Sequence, residues 1–96
     1  MNKDIEIIKA SIVEVLKKFG VKKAALFGSI VKEGLREDSD IDIIVEFSGD
    51  DKSLLDLVRL KYALEDRLGR NVDLITYKSL HPLLKERVLK EQKVII

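Results

Sequence analysis

The stretch from Ile41 to Phe47 alternates in character. Ile41, Ile43, Val45 and Phe47 are apolar on one face, while Asp42, Ile44 and Glu46 lie between them on the other. Successive side chains on a β-strand point to opposite faces. One face of this strand is therefore built for a core, and the other carries a carboxylate. Such a strand needs further strands beside it and a layer of helix over its apolar face.

The flanking sequence supplies both. Ile5, Ile8, Ile12, Leu16 and Phe19 recur at helical spacing, and Gly20 follows as a stop. Leu54, Leu57, Val58, Leu64 and Leu68 form a second apolar stripe, which predicts a helix over 54–68 with its stripe in the core. Ser53 caps that helix, Asp56 stands as its acidic third residue, and Gly69 closes it. Val21 to Phe27 and Val72 to Thr76 read as two more strands. Ser29 to about Glu33 forms a short helix closed by Gly34, Asp38 to Asp40 a turn, and Ser48 to Lys52 a loop. His81 or Ser79 caps a last helix that has Pro82 in its first turn and runs to about Lys90. Val94 to Ile96 adds an edge strand or docks. The expected fold is α/β (α+β), a small mixed sheet covered by helices, with residues 1–96 as one domain.

Charge and composition narrow the chemistry. Lys and Arg number 18 against 17 Asp and Glu, a net charge of +1. A protein held on nucleic acid by bulk charge carries a clear basic excess, so no direct nucleic-acid binding is expected. There is no cysteine and a single histidine, His81. Thiolate nucleophiles, disulfides and Cys or His zinc sites are excluded, and any metal must be a hard cation on carboxylate oxygens. No apolar run approaches the ~18 residues of a membrane span. Met1 to Glu6 lacks the apolar core of a signal peptide, so the expected location is cytoplasmic.

The candidate chemistry gathers around three aspartates. Asp40 and Asp42 are two apart at the start of a strand, which turns both to one face, their Cβ atoms within roughly 7 Å. Parallel carboxylates at that spacing repel unless something positive sits between them. Asp73 lies inside another strand, where an unpartnered charge is costly to bury. If the two strands are neighbours, Asp73 faces Asp40 and Asp42. Three carboxylates so placed suit two metal ions ~3.5–4 Å apart for phosphoryl transfer, with Asp73 as general base or activating ligand. Gly28 and Ser29 sit where a strand gives way to a helix. Glycine permits a sharp turn and close approach of a ligand, and the exposed amides with the Ser29 hydroxyl suit an anion. Lys32 and Arg36 are near enough in sequence to add positive charge.

Each feature alone has an ordinary structural explanation. Asp-Ser-Asp before a strand is a common turn, a strand Asp is often only a hydrogen-bond acceptor, and Gly-Ser says almost nothing. It is the joint pattern that points to a site. His81 reads as a cap, and Lys85, Arg87 and Lys90 as a solvated helix face. Two other motifs fail on spacing. Asp38, Asp40 and Asp42 imitate a calcium loop, but Ile43 stands where its glycine belongs and Gly49 where its bidentate Glu belongs. The stretch Gly28 to Gly34 lacks the Gly-Lys-Ser/Thr end of a P-loop.

Phe27-Gly28-Ser29, ten residues, then Asp40-Ile41-Asp42 resembles the signature of the DNA polymerase β-like nucleotidyltransferases. More closely, the chain resembles the minimal nucleotidyltransferases, or MNT proteins. That likeness spans Ser39 to Val45, Gly69 to Leu74, and Leu80 to Arg87. It implies that Gly28 and Ser29 bind nucleotide phosphates and that Asp40, Asp42 and Asp73 bind magnesium. Lys32 stands about where the family carries an Arg, and Gly34 comes one residue later than its usual glycine. The resemblance further implies a helical HEPN-domain partner, a ribonuclease toxin. The MNT antitoxin would silence it by transferring AMP from ATP onto a tyrosine. Larger nucleotidyltransferases hold the acceptor with an added domain, so here the acceptor is expected on another molecule. The rivals are a non-catalytic antitoxin that acts by docking, and a nucleotidyltransferase acting on a small molecule or RNA.

Overall fold

The computed structural model describes residues 2–28, 31, 40–49 and 53–96. Among them, three helices accompany a four-stranded mixed sheet. In chain order the elements are α1 (Asn2–Lys18), β1 (Val21–Phe27), β2 (Ile41–Phe47), α2 (Leu54–Leu68), β3 (Val72–Thr76), α3 (Pro82–Glu91) and β4 (Lys93–Val94). A 3₁₀ turn, Tyr77–Ser79, joins β3 to α3. The short helix expected over 29–33 and the turn at 38–40 fall largely outside the described residues.

The strands lie in the order β3-β2-β1-β4. β1 runs antiparallel to both β2 and β4, whereas β2 and β3 are parallel. A parallel pair needs a crossover, and α2 provides it. The chain's last residues extend the sheet: Leu26 pairs with Lys93, and Ala24 O accepts the N–H groups of Ile95 and Ile96 at 3.0 and 3.2 Å.

The core lies between one face of the sheet and helices α1 and α2. Ile12 and Leu16 of α1, Leu60 and Leu64 of α2, and Ile41, Ile43 and Val45 of β2 are all fully buried in it. Each such side chain contributes about 1.5–3 kcal/mol relative to exposure. Arg67 reaches across the two helices to Glu14 at 2.9 Å. The ends of α2 follow the sequence reading. Ser53 N–H donates to Asp56 Oδ2 at 2.8 Å, and Gly69 adopts φ +65° while its N–H returns to Glu65 O at 2.8 Å. His81 caps α3, its Nδ1 accepting from Leu83 N–H at 3.1 Å.

Two apolar residues depart from expectation. Leu54 was expected in the core stripe, but it opens the first turn of α2 and is 75% exposed. Ile44, on the opposite face from the core by alternation, is fully buried together with its partner Ala25. On β2 the 3₁₀ turn packs as well. Tyr77 lies under the Lys23 ammonium, 4.8 Å from its ring centre, and its hydroxyl donates to Gln92 Oε1 at 2.9 Å. The second face of the sheet is thus covered along part of its length. No described helix is long and apolar enough to cross a membrane.

Candidate active site

The outer face keeps its acidic character at the other end of β2, where the carboxylates gather. Asp42 is the second residue of β2 and Asp73 the second of β3, and the parallel register sets them directly opposite one another. Ile41 and Val72 pair one residue earlier with both side chains in the core. Alternation then turns Asp42 and Asp73 together onto the outer face. Neighbouring strands are ~4.7–4.9 Å apart, so two carboxyl groups must share a space meant for one charge.

The consequence falls on Asp42. Burial pushes its carboxyl up to about 6 from 3.8, helped by a hydrogen bond with Asp73 and by the negative charges of Asp73 and Asp40. Like charges facing each other across the ladder favour the neutral form of Asp42. The perturbed group is the middle one, with Asp40 two residues before it and Asp73 across the ladder. Asp40 stays exposed at the mouth of the strand and acts on Asp42 through its charge.

β1 delivers the third wall. Its last residue, Phe27, pairs with Asp42, which leaves Gly28 directly over that carboxyl group. A Cβ on Gly28 would collide with Asp42 Oδ2 and come within 3.1 Å of its Cγ. The backbone there has φ +76°, a left-handed conformation, and Gly28 O accepts from Val31 N–H at 3.1 Å. Glycine is thus required twice at this position, by conformation and by the carboxylate beneath it. Ser29 and Lys32, the other expected phosphate contacts, lie outside the described residues.

An exchange at Gly28 separates these two demands. Gly28→Ala is expected to lower the melting temperature, because a left-handed non-glycine residue costs ~1–2 kcal/mol. It is also expected to cripple nucleotidyl transfer by displacing Asp42. Gly69→Ala is the matched control: φ is +65°, but nothing lies within 4 Å of the added Cβ. That variant should melt lower and transfer normally. Equal transfer by both would show that the approach of Gly28 to Asp42 has no catalytic consequence.

The donor set consists of carboxylate oxygens alone, which fits a hard divalent cation. The mutual repulsion of Asp42 and Asp73 marks the place where positive charge is wanted. Among the described residues, Asp40, Asp42 and Asp73 included, no group of three or more His, Cys, Asp or Glu is placed to hold a metal ion.

Residues 10–96 match the family described as Polymerase beta, Nucleotidyltransferase. The chain belongs to this nucleotidyltransferase family. A Methanocaldococcus jannaschii protein assigned as a protein adenylyltransferase is 58% identical over 88 residues, which cover 92% of this chain and 94% of that one. Among solved structures, a toxin–antitoxin complex with AMP-PNP has a chain that superimposes with a TM-score of 0.79 at 26% identity, covering 92% of this chain and 72% of its own. A Shewanella oneidensis complex, described as a tri-AMPylated HEPN toxin with its MNT antitoxin, shares the fold with a TM-score of 0.75 at 24% identity, over 95% of this chain and 71% of the other.

Proposed function

We propose that this nucleotidyltransferase transfers AMP from ATP onto a tyrosine of a HEPN-domain partner, as the antitoxin of a toxin–antitoxin pair. The whole chain acts as one nucleotidyltransferase domain. The observation that carries the reading is the pairing of Asp42 with Asp73 beneath the Gly28 turn. It sets a cluster of negative charge against a turn suited to phosphates. The AMPylated HEPN toxin bound to a protein of the same fold supports the choice of acceptor.

Gly28, Ser29 and Lys32 hold the triphosphate. Asp40, Asp42 and Asp73 would hold magnesium, two ions in all, and bound there it would neutralise phosphate charge and favour ionisation of the acceptor. The tyrosine oxygen attacks the α-phosphorus. A new phosphorus–oxygen bond forms there, the bond to the bridging oxygen of the β-phosphate breaks, and pyrophosphate leaves. Asp73 stands on the acceptor side and takes the phenolic proton. Positioning and charge neutralisation do most of the work.

Incubation with α-labelled ATP, Mg²⁺ and the HEPN partner tests this directly. Label on a partner tyrosine, with pyrophosphate released, is the expected result. Label appearing instead on RNA or on a small molecule would replace this reading with a different substrate class.

A further inference from the structure

We infer that Glu65 is a positioning residue for nucleotidyl transfer, holding Asp73 opposite Asp42 by a hydrogen bond to the backbone of Val72. The bond runs from Val72 N–H to Glu65 Oε2 at 2.9 Å. β3 is the outermost strand on its side of the sheet. In a parallel pair, alternate residues turn their N–H and C=O groups toward the neighbour. Ile41 N–H donates to Asn71 O at 3.0 Å, so Asn71 faces β2 and Val72 turns its N–H to the open edge. Among the described residues no strand reaches that side, and a side-chain acceptor fills the place.

Glu65 is suited to this because it grips the α2–β3 connection at two points. Its backbone oxygen accepts Gly69 N–H at 2.8 Å and ends the helix, while its carboxylate takes Val72 N–H and starts the strand. The residue after Val72 is Asp73. A one-residue slip would turn Asp73 into the core, and a smaller drift would part it from Asp42. The sequence offered no sign of this. A glutamate in the last turn of a helix is ordinary, and only the fold brings it to residue 72.

The inference rests on the reading of Asp73 as a transfer residue, so Asp73→Asn is measured beside the Glu65 variants. In the full chain with its HEPN partner, Glu65→Ala should speed hydrogen exchange at the Val72 amide. It should also lower kcat ~10- to 100-fold, the scale of a small misplacement from a remote change. KM for ATP should hold, because Gly28, Asp40 and Asp42 are set by β1 and β2. Glu65→Gln keeps an acceptor oxygen and should restore both exchange and kcat. Should Glu65→Ala fail to fold, Glu65→Asp carries the same test, since its carboxylate stops one methylene short. Parental kcat with a fast-exchanging Val72 amide overturns the inference, and so does a Glu65→Gln variant as slow as Glu65→Ala. If Asp73→Asn itself transfers at the parental rate, the reading of the site fails and this inference falls with it. A slow Asp73→Asn beside a fast Glu65→Ala removes the positioning role alone.

Discussion

Asp42→Asn should abolish nucleotidyl transfer and, at neutral pH, raise the melting temperature of the metal-free protein. The two effects share one cause. Burial, the hydrogen bond with Asp73 and the charges of Asp73 and Asp40 raise the Asp42 carboxyl to about 6 from 3.8. Below pH ~4 the group is protonated whether the chain is folded or not. Between about 4 and 6 only the folded chain keeps the proton, so stability falls as pH rises through that window. Above it the folded protein carries the full repulsion, and the loss levels off. Asparagine is neutral throughout, so the variant should lack this slope and melt higher at pH 7. Should about 1 kcal/mol of the penalty survive solvent screening, the gain is roughly 4–8 °C for a domain of this size. Activity should move the other way, because the charge that destabilises the free protein is the charge that the nucleotide complex needs. Loss of one such preorganised electrostatic group costs ~10²–10³ in rate. Melting curves from pH 4 to 8 and transfer assays on the same preparations check both. A variant that melts lower at pH 7 would make Asp42 a structural residue. One that still neutralises its partner without transferring AMP would favour docking over catalysis.

What was legible in the sequence were features with a short period or a local cause. Strand β2 announced itself through Ile41, Ile43 and Val45, and α2 through the Ser53 and Asp56 cap and Gly69. That Asp40 and Asp42 share a face followed from alternation alone. Asp73 was harder, because a strand residue becomes a neighbour only once strand order is known. The parallel pairing of β2 with β3, across the α2 crossover, is a tertiary fact. For the same reason alternation assigned Ile44 to the outside, while the turn at Tyr77 covers that face. Helical periodicity likewise assigned Leu54 to the core, although the first turn of α2 carries it into solvent. Gly28 was read as a turn glycine, and its second duty toward Asp42 depends on the β1–β2 register. The rise in the Asp42 pKa lies still further from the sequence, since it needs burial and two other carboxylates at once.

Asp73→Asn should separate nucleotide binding from chemistry. Asp42 lies on β2 next to the Gly28 turn, with Asp40 two residues before it, whereas Asp73 reaches the cluster from the edge strand. The triphosphate side of the site therefore survives the exchange, and Mg·ATP affinity measured by calorimetry should stay near the parental value. The side chain of Asp73 is exposed, so an asparagine of the same size leaves β3 undisturbed. It relieves Asp42 of one like charge, and the metal-free variant should melt no lower than the parent at pH 7. What it removes is the negative charge on the acceptor side. A tyrosine hydroxyl has an unperturbed pKa near 10 and must lose its proton as it attacks. General-base help of that kind contributes ~10²–10⁴ in rate, and transfer to the partner should fall by a factor in that range. Raising the pH should recover part of the loss, since bulk hydroxide then competes for the proton that Asp73 no longer accepts. If Asp73→Asn weakens Mg·ATP binding as much as it slows transfer, Asp73 serves the nucleotide rather than the acceptor. If it transfers at the parental rate, the site contracts to Asp40 and Asp42 on one strand.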